Sequence, residues 1–157
     1  MVTGISLCKI AFLAKKRIHS GSIFLIMPIL SHQFDFIQPG IFMDVVVSAP
    51  GSNEKWSVRA LWDTGANVTV ISETVAETLG LKPKGHSKLI VANGAQKANL
   101  YKIDFSLSKD IVFKDVFVRG CGNDSVFEMA IGMDIISRGN FHIDNRDGRT
   151  LFTFEIA

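Results

Sequence analysis

A chain of 157 residues that is 47% hydrophobic and 20% charged fits one packed domain and excludes a disordered or fibrous protein. Its formal charge of +2 gives no electrostatic case for nucleic acid as a partner. Cys8 and Cys121, the only cysteines, have no paired spacing and no histidine pair beside them. That excludes a zinc motif or a disulfide framework and favours a reducing, cytoplasmic compartment.

Lys15-Lys16-Arg17 is the one dense basic cluster and reads as a solvated tail. The apolar run Ser22-Ile23-Phe24-Leu25-Ile26-Met27-Pro28-Ile29-Leu30 contains a proline and is about half the ~20 residues a membrane-spanning helix needs. No small-x-small cleavage site follows it at Ser31-His32-Gln33-Phe34. Residues 1–37 therefore form an N-terminal extension that either adds a terminal strand or stands outside the fold, and membrane association is not expected. A secreted or membrane-anchored protein, addressed through these residues, is the alternative to a cytoplasmic one.

From Ile41 onward, β-branched and aromatic runs alternate with Gly, Pro, Asn and Asp at short intervals, so residues 38–157 form a mainly β domain. Strands, mostly antiparallel, are expected over 41–48, 56–62, 68–71, 87–91, 98–107, 112–119, 127–131, 141–144 and 150–154. Pro50-Gly51-Ser52-Asn53, Ala92-Asn93-Gly94-Ala95 and Asn145-Arg146-Asp147-Gly148 mark turns. Two short helices interrupt the series. Ser72 caps one that opens at Glu73, carries Val75, Ala76 and Leu79 at helical spacing and stops at Gly80. The second lies over Gly132-Met133-Asp134-Ile135-Ile136-Ser137. In each half an apolar strand runs into a glycine-containing turn and then a helix.

The segment Ala60-Leu61-Trp62-Asp63-Thr64-Gly65-Ala66 carries the chemistry. If Ala60-Leu61-Trp62 is a core strand, the Asp63 carboxylate emerges at its buried end and needs partners. Gly65 lets the backbone turn tightly and present N–H groups, and the Thr64 hydroxyl can bond neighbouring main chain. Two such carboxylates held within about 3 Å share one proton. The ionised member then activates water against an amide carbonyl while the protonated one donates to the carbonyl oxygen. No metal and no other cofactor is required.

Leu61-Trp62-Asp63-Thr64-Gly65-Ala66-Asn67-Val68-Thr69-Val70-Ile71 resembles the active-site segment of retropepsins, the single-domain aspartic peptidases. Ala130-Ile131-Gly132-Met133-Asp134-Ile135-Ile136 resembles the glycine element and helix beneath the catalytic loop in that family, and the stretch from Phe141 to Phe154 resembles its closing strands. The resemblance implies a closed acid-protease β barrel with one or two short helices, assembled as a two-fold dimer. It implies catalytic roles for Asp63, Thr64 and Gly65, with the Thr64 hydroxyls of two protomers interlocking. Ala66 and Asn67 would border substrate, and Ala92, Asn93 and Gly94 would form a flap over it. Many relatives carry an acidic residue at the position of Asn67, which bears on specificity. Some retroviral members have an arginine after the downstream glycine where this chain has Met133, so the dimer must be held differently there.

No second Asp-Thr-Gly or Asp-Ser-Gly exists in the chain, and Asp147-Gly148 reads as a hairpin tip. One chain offers one catalytic aspartate, so an aspartic endopeptidase acting on polypeptides must be a homodimer. Asp134, in the first turn of its helix, reads as structural. Trp62 and Trp56 read as core or interface residues, with Trp62 placed to buttress the catalytic loop. The competing function is a peptide-binding or dimerisation module on the same fold that has lost effective proteolysis.

Overall fold

The computed structural model describes residues 27–91, 94–123 and 126–156. Cys8, the Lys15-Lys16-Arg17 cluster, the first part of the apolar run, and Ala92 and Asn93 of the expected flap turn lie outside the described residues. The elements in chain order are β1 (Ile29–Gln33), β2 (Ile41–Ser48), β3 (Trp56–Trp62), β4 (Val70–Ser72), α1 (Glu73–Thr78), β5 (Gly85–Val91), β6 (Gly94–Ser106), β7 (Val112–Cys121), β8 (Met129–Ile131), α2 (Met133–Ile136), β9 (Gly139–Asp144) and β10 (Leu151–Ile156). A 3-10 turn at Arg146–Gly148 joins the last two strands, with Asp147 and Gly148 both at positive φ, as a polar hairpin tip requires.

Period-two alternation sets the strand faces. Val45 and Val47 of β2 are buried while Asp44 and Val46 are exposed, and on β3 Val58, Ala60 and Trp62 point inward while Ser57 and Arg59 point out. The inward residues line a barrel. Its strands run β2-β3-β8-β4-β7-β6, and pairing of Val46–Ser48 with Asp104–Ser106 closes the ring. The expected mainly β barrel with two short helices is what the chain forms. Most pairings are antiparallel; β3–β8 and β4–β7 are parallel.

The long strand β6 changes partners midway. Residues from Leu100 onward pair with β7 in the barrel wall, whereas Gly94–Leu100 pair with β5 as a projecting hairpin. The strand expected over 98–107 therefore starts four residues earlier, and Ala95 belongs to a strand rather than to a turn. The strand expected over 68–71 starts at Val70, because Val68 and Thr69 remain in the loop that follows β3.

A second sheet, β1-β10-β9, covers the barrel end where β3 finishes. Phe152 and Phe154 of β10 are fully buried, and their rings lie 5.0 and 4.9 Å from that of Trp62, with Phe141 of β9 at 5.7 Å. Burying each such side chain contributes roughly 1.5–3 kcal/mol. Strand β1 pairs with β10 from Ile29↔Glu155 to Gln33↔Leu151, so part of the segment before residue 38 lies in the sheet over Trp62. Trp56, by contrast, is 49% exposed.

Candidate active site

Asp63 directly follows the last residue of β3, and the pairing of β3 with β8 fixes where it leaves the sheet. Trp62 sits opposite Ile131, and the next backbone N–H, that of Asp63, donates to the Ile131 carbonyl at 2.9 Å. The chain then turns. The Gly65 N–H donates to Asp63 Oδ1 at 2.9 Å, and the Ala66 N–H donates to the Asp63 carbonyl at 3.2 Å. A Cβ on Gly65 would lie 3.2 Å from Asp63 Oδ1, closer than a side chain sits without displacing its neighbour. Glycine here leaves room for the carboxylate to fold back onto the backbone amide. Asp63 and Ala66 are half-buried while Thr64, Gly65 and Asn67 are exposed, so the turn opens at the protein surface.

The far side of the turn is fastened to the second glycine element. The Met133 N–H donates to the Ala66 carbonyl at 2.8 Å. Thr69 is completely buried; its hydroxyl donates to Asp134 Oδ1 at 2.8 Å and accepts from the Gly132 N–H at 3.1 Å. Asp134 is thus structural as expected, through the Thr69 hydroxyl. Gly132 is required by space alone. Its backbone is extended (φ −93, ψ −176), but a Cβ would lie 2.5 Å from the Val68 carbonyl carbon and 2.9 Å from the Ala66 oxygen.

Of the residues singled out by sequence, Asp63, Thr64, Gly65, Ala66 and Asn67 share one turn. Gly94 opens β6 at φ +115 on the separate β5–β6 hairpin, and its partners in the expected flap, Ala92 and Asn93, are outside the described residues. Thr69 had no assigned role from sequence. Its link to Asp134 spans 65 positions, and no local pattern signals it.

A second polar group lies at the base of the hairpin. Ser72 caps α1 as expected, its hydroxyl accepting from the Val75 N–H. Glu73, the first helical residue, accepts from the Tyr101 hydroxyl at 2.5 Å and from Asn99 Nδ2 at 3.3 Å. Burial, then the bond to Glu73, pushes the Tyr101 phenol above its ordinary pKa, so it stays a donor. Burial and the nearby Glu73 charge push the Cys121 thiol up to about 11, which keeps it protonated and unreactive at neutral pH. Among the described residues no group of three or more His, Cys, Asp or Glu side chains could hold a metal ion, and no helix is long and apolar enough to cross a membrane.

A family model described as gag-polyprotein putative aspartyl protease matches residues 51–138, which include the Asp63 turn and the Gly132 element. The fold is similar to the crystal structure of a retropepsin-like aspartic protease from Rickettsia conorii, at 19% identity and a TM-score of 0.57, covering 83% of this chain and 95% of that one. The solution structure of the simian foamy virus (mac) protease is also matched, at 15% identity and a TM-score of 0.38, covering 60% of this chain and 92% of that one. No curated protein sequence matches the chain.

Proposed function

Since the chain belongs to the gag-polyprotein putative aspartyl protease family, we propose that it is an aspartic endopeptidase that hydrolyses polypeptides with water activated by two Asp63 carboxylates, one from each protomer of a homodimer. The observation that carries this reading is the Asp63 turn. Its carboxylate is oriented by the Gly65 amide, and its backbone is tied to Ile131 and Met133 on two other elements. A carboxylate so fixed at the surface can meet its symmetry mate at a defined separation, which is what proton sharing requires.

In the dimer one Asp63 is ionised and takes a proton from water as the water attacks the scissile carbonyl. The other is protonated and donates to the carbonyl oxygen. Collapse of the tetrahedral intermediate passes a proton to the leaving amine. Thr64 would brace the pair across the two-fold axis, Ala66 and Asn67 would border the substrate backbone, and the hairpin carrying Ala92, Asn93 and Gly94 would close over it as a further strand pairing. The peptidase unit is proposed to run from about residue 38 with β1 added at its edge, and its location to be cytoplasmic.

The test is cleavage of a mixed peptide library, read by mass spectrometry from about pH 3.5 to 7.5, by wild type and Asp63→Asn, with sedimentation on the same samples. Cleavage by wild type alone that rises with the dimer fraction is the expected result. A folded wild-type dimer that binds peptides but cleaves none across that range would replace this reading with the peptide-binding module.

A further inference from the structure

The β5–β6 hairpin leaves the barrel at one residue. Leu100 pairs with Gly85 on the hairpin side and with Arg119 on the barrel side, so residues 99–101 are a fork. At that fork Glu73 is bound by Tyr101 and by Asn99, and Asn99 Nδ2 also donates to the Tyr101 hydroxyl at 3.2 Å. Space is reserved for the carboxylate: a Cβ on Gly120 of β7 would fall 2.0 Å from Glu73 Oε1 and 2.9 Å from its Cδ. Beside it, between the hairpin and β7, lies a cavity of about 370 Å³ lined by Glu73, His86, Asn99 and Cys121 among others. The hairpin base therefore does not rest wholly on packed side chains. Polar ties bridge the gap, namely the Glu73 cluster and a bond from Arg119 Nε to Ser87 Oγ at 2.7 Å.

We propose that Glu73 is a positioning residue: by clamping Asn99 and Tyr101 to α1 at the fork of β6, its carboxylate sets the direction in which the β5–β6 hairpin projects. The hairpin extends five residues from Asn99 to Gly94, about 17 Å at strand rise, so a rotation of about 5° at the fork moves its tip roughly 1.5 Å. A shift of that size is comparable to a hydrogen-bond tolerance, so it weakens the grip on any peptide the hairpin covers. The catalytic consequence rests on the peptidase reading; the mechanical one does not.

The test compares full-length wild type with Tyr101→Phe, Glu73→Ala, Glu73→Gln and Gly120→Ala, by amide hydrogen exchange and by peptide-cleavage kinetics. Tyr101→Phe removes one oxygen and a bond to a charged acceptor, so exchange at residues 85–91 and 94–99 is expected to speed up about tenfold while β3 and β8 stay unchanged. Gly120→Ala, which evicts the carboxylate without removing it, should do the same. Glu73→Gln keeps an oxygen acceptor and should recover part of the protection lost in Glu73→Ala. In kinetics KM should rise severalfold with kcat nearly unchanged, which general destabilisation would not produce. Wild-type exchange in the hairpin of Tyr101→Phe overturns the clamp. If wild type cleaves nothing, the peptidase reading fails on its own, and the exchange result still decides the clamp.

Discussion

Replacing Gly132 with alanine should damage the Asp63 turn more than its single added carbon suggests. The new Cβ would lie 2.5 Å from the carbonyl carbon of Val68, 2.7 Å from its oxygen and 2.9 Å from the Ala66 oxygen. These are backbone atoms of the Asp63 loop and cannot swing aside as a side chain can. Restoring ordinary contact requires the loop and α2 to part by about 0.5–0.9 Å, a rearrangement in the overpacking range of roughly 1–3 kcal/mol. The same movement lengthens the bonds from Met133 N–H to Ala66 and from Gly132 N–H to Thr69. Losing them adds about 0.5–1.5 kcal/mol each. The total, roughly 2–6 kcal/mol, leaves a domain near the middle of the ordinary range of about 5–15 kcal/mol folded but weakened. Denaturant unfolding should show a lower midpoint with an unchanged slope, and kcat/KM should fall about a hundredfold because the loop carries Asp63. Gly148→Ala is the control: it forces a side chain into φ +71 with nothing within 4 Å, so it should cost stability and leave kcat/KM alone. A Gly132→Ala protein with the wild-type midpoint would refute the argument that this contact holds the loop.

Thr69→Val keeps the shape of a fully buried side chain but leaves the Gly132 N–H and an Asp134 oxygen without their partner. Unfolding should show a loss of about 2–3 kcal/mol, with Thr69→Ser close to wild type. Asp144 is bound by the Arg146 guanidinium and its backbone N–H, which hold its carboxyl at about 2 instead of 3.8. A depressed folded pKa means that any stabilisation is present above the unfolded value and is lost as pH falls through the folded one. The Arg146 side chain is 85% exposed, so water screens the pair and Arg146→Gln should leave stability at pH 7 nearly unchanged. In the same variant, carboxyl NMR should show Asp144 titrating nearer the ordinary carboxylate range.

What sequence makes legible is what depends on near neighbours. Asp63-Thr64-Gly65 announces itself because the carboxylate and the amide that orients it are two residues apart. Ser72 announces α1 because its cap bond spans three residues, and alternation of Val45 and Val47 with Asp44 and Val46 announces a strand with one face in the core. The barrel ring and its parallel pairs needed the resemblance or the structure, since nothing local to β3 specifies that β8, about 70 residues on, lies beside it. Thr69 with Asp134, and Glu73 with Tyr101, are pairs of common residues at unremarkable spacings. Only the fold brings them together. Strand β1 was half legible: its apolar residues fit a strand, but they sit in a longer run with Pro28, which a β reading and an extension reading explain equally well.

The two supports of the site use different side chains of the protomer, and that division has a consequence. Among the described residues, the hydrogen bonds that fix the Asp63 turn from outside come from Ile131 and Met133, and Thr69 extends that set to Asp134. The bonds that orient the hairpin come instead from α1 and β7, through Glu73 and Arg119. The Asp63 turn and the Glu73 clamp meet through the short strand β4, which joins Thr69 to Ser72, and through the Arg119 N–H, which donates to the Thr69 carbonyl at 3.1 Å. Substitutions in the first set should therefore act on the geometry of the carboxylate and lower kcat, and those in the second should act on the grip on peptide and raise KM. Because the Thr69 and Tyr101 hydroxyls share no hydrogen-bond partner, a Thr69→Val, Tyr101→Phe double variant should show the two effects adding within about 0.5 kcal/mol. A larger coupling would mean that hairpin and turn move together, through β4 and the backbone bond from Arg119 to Thr69.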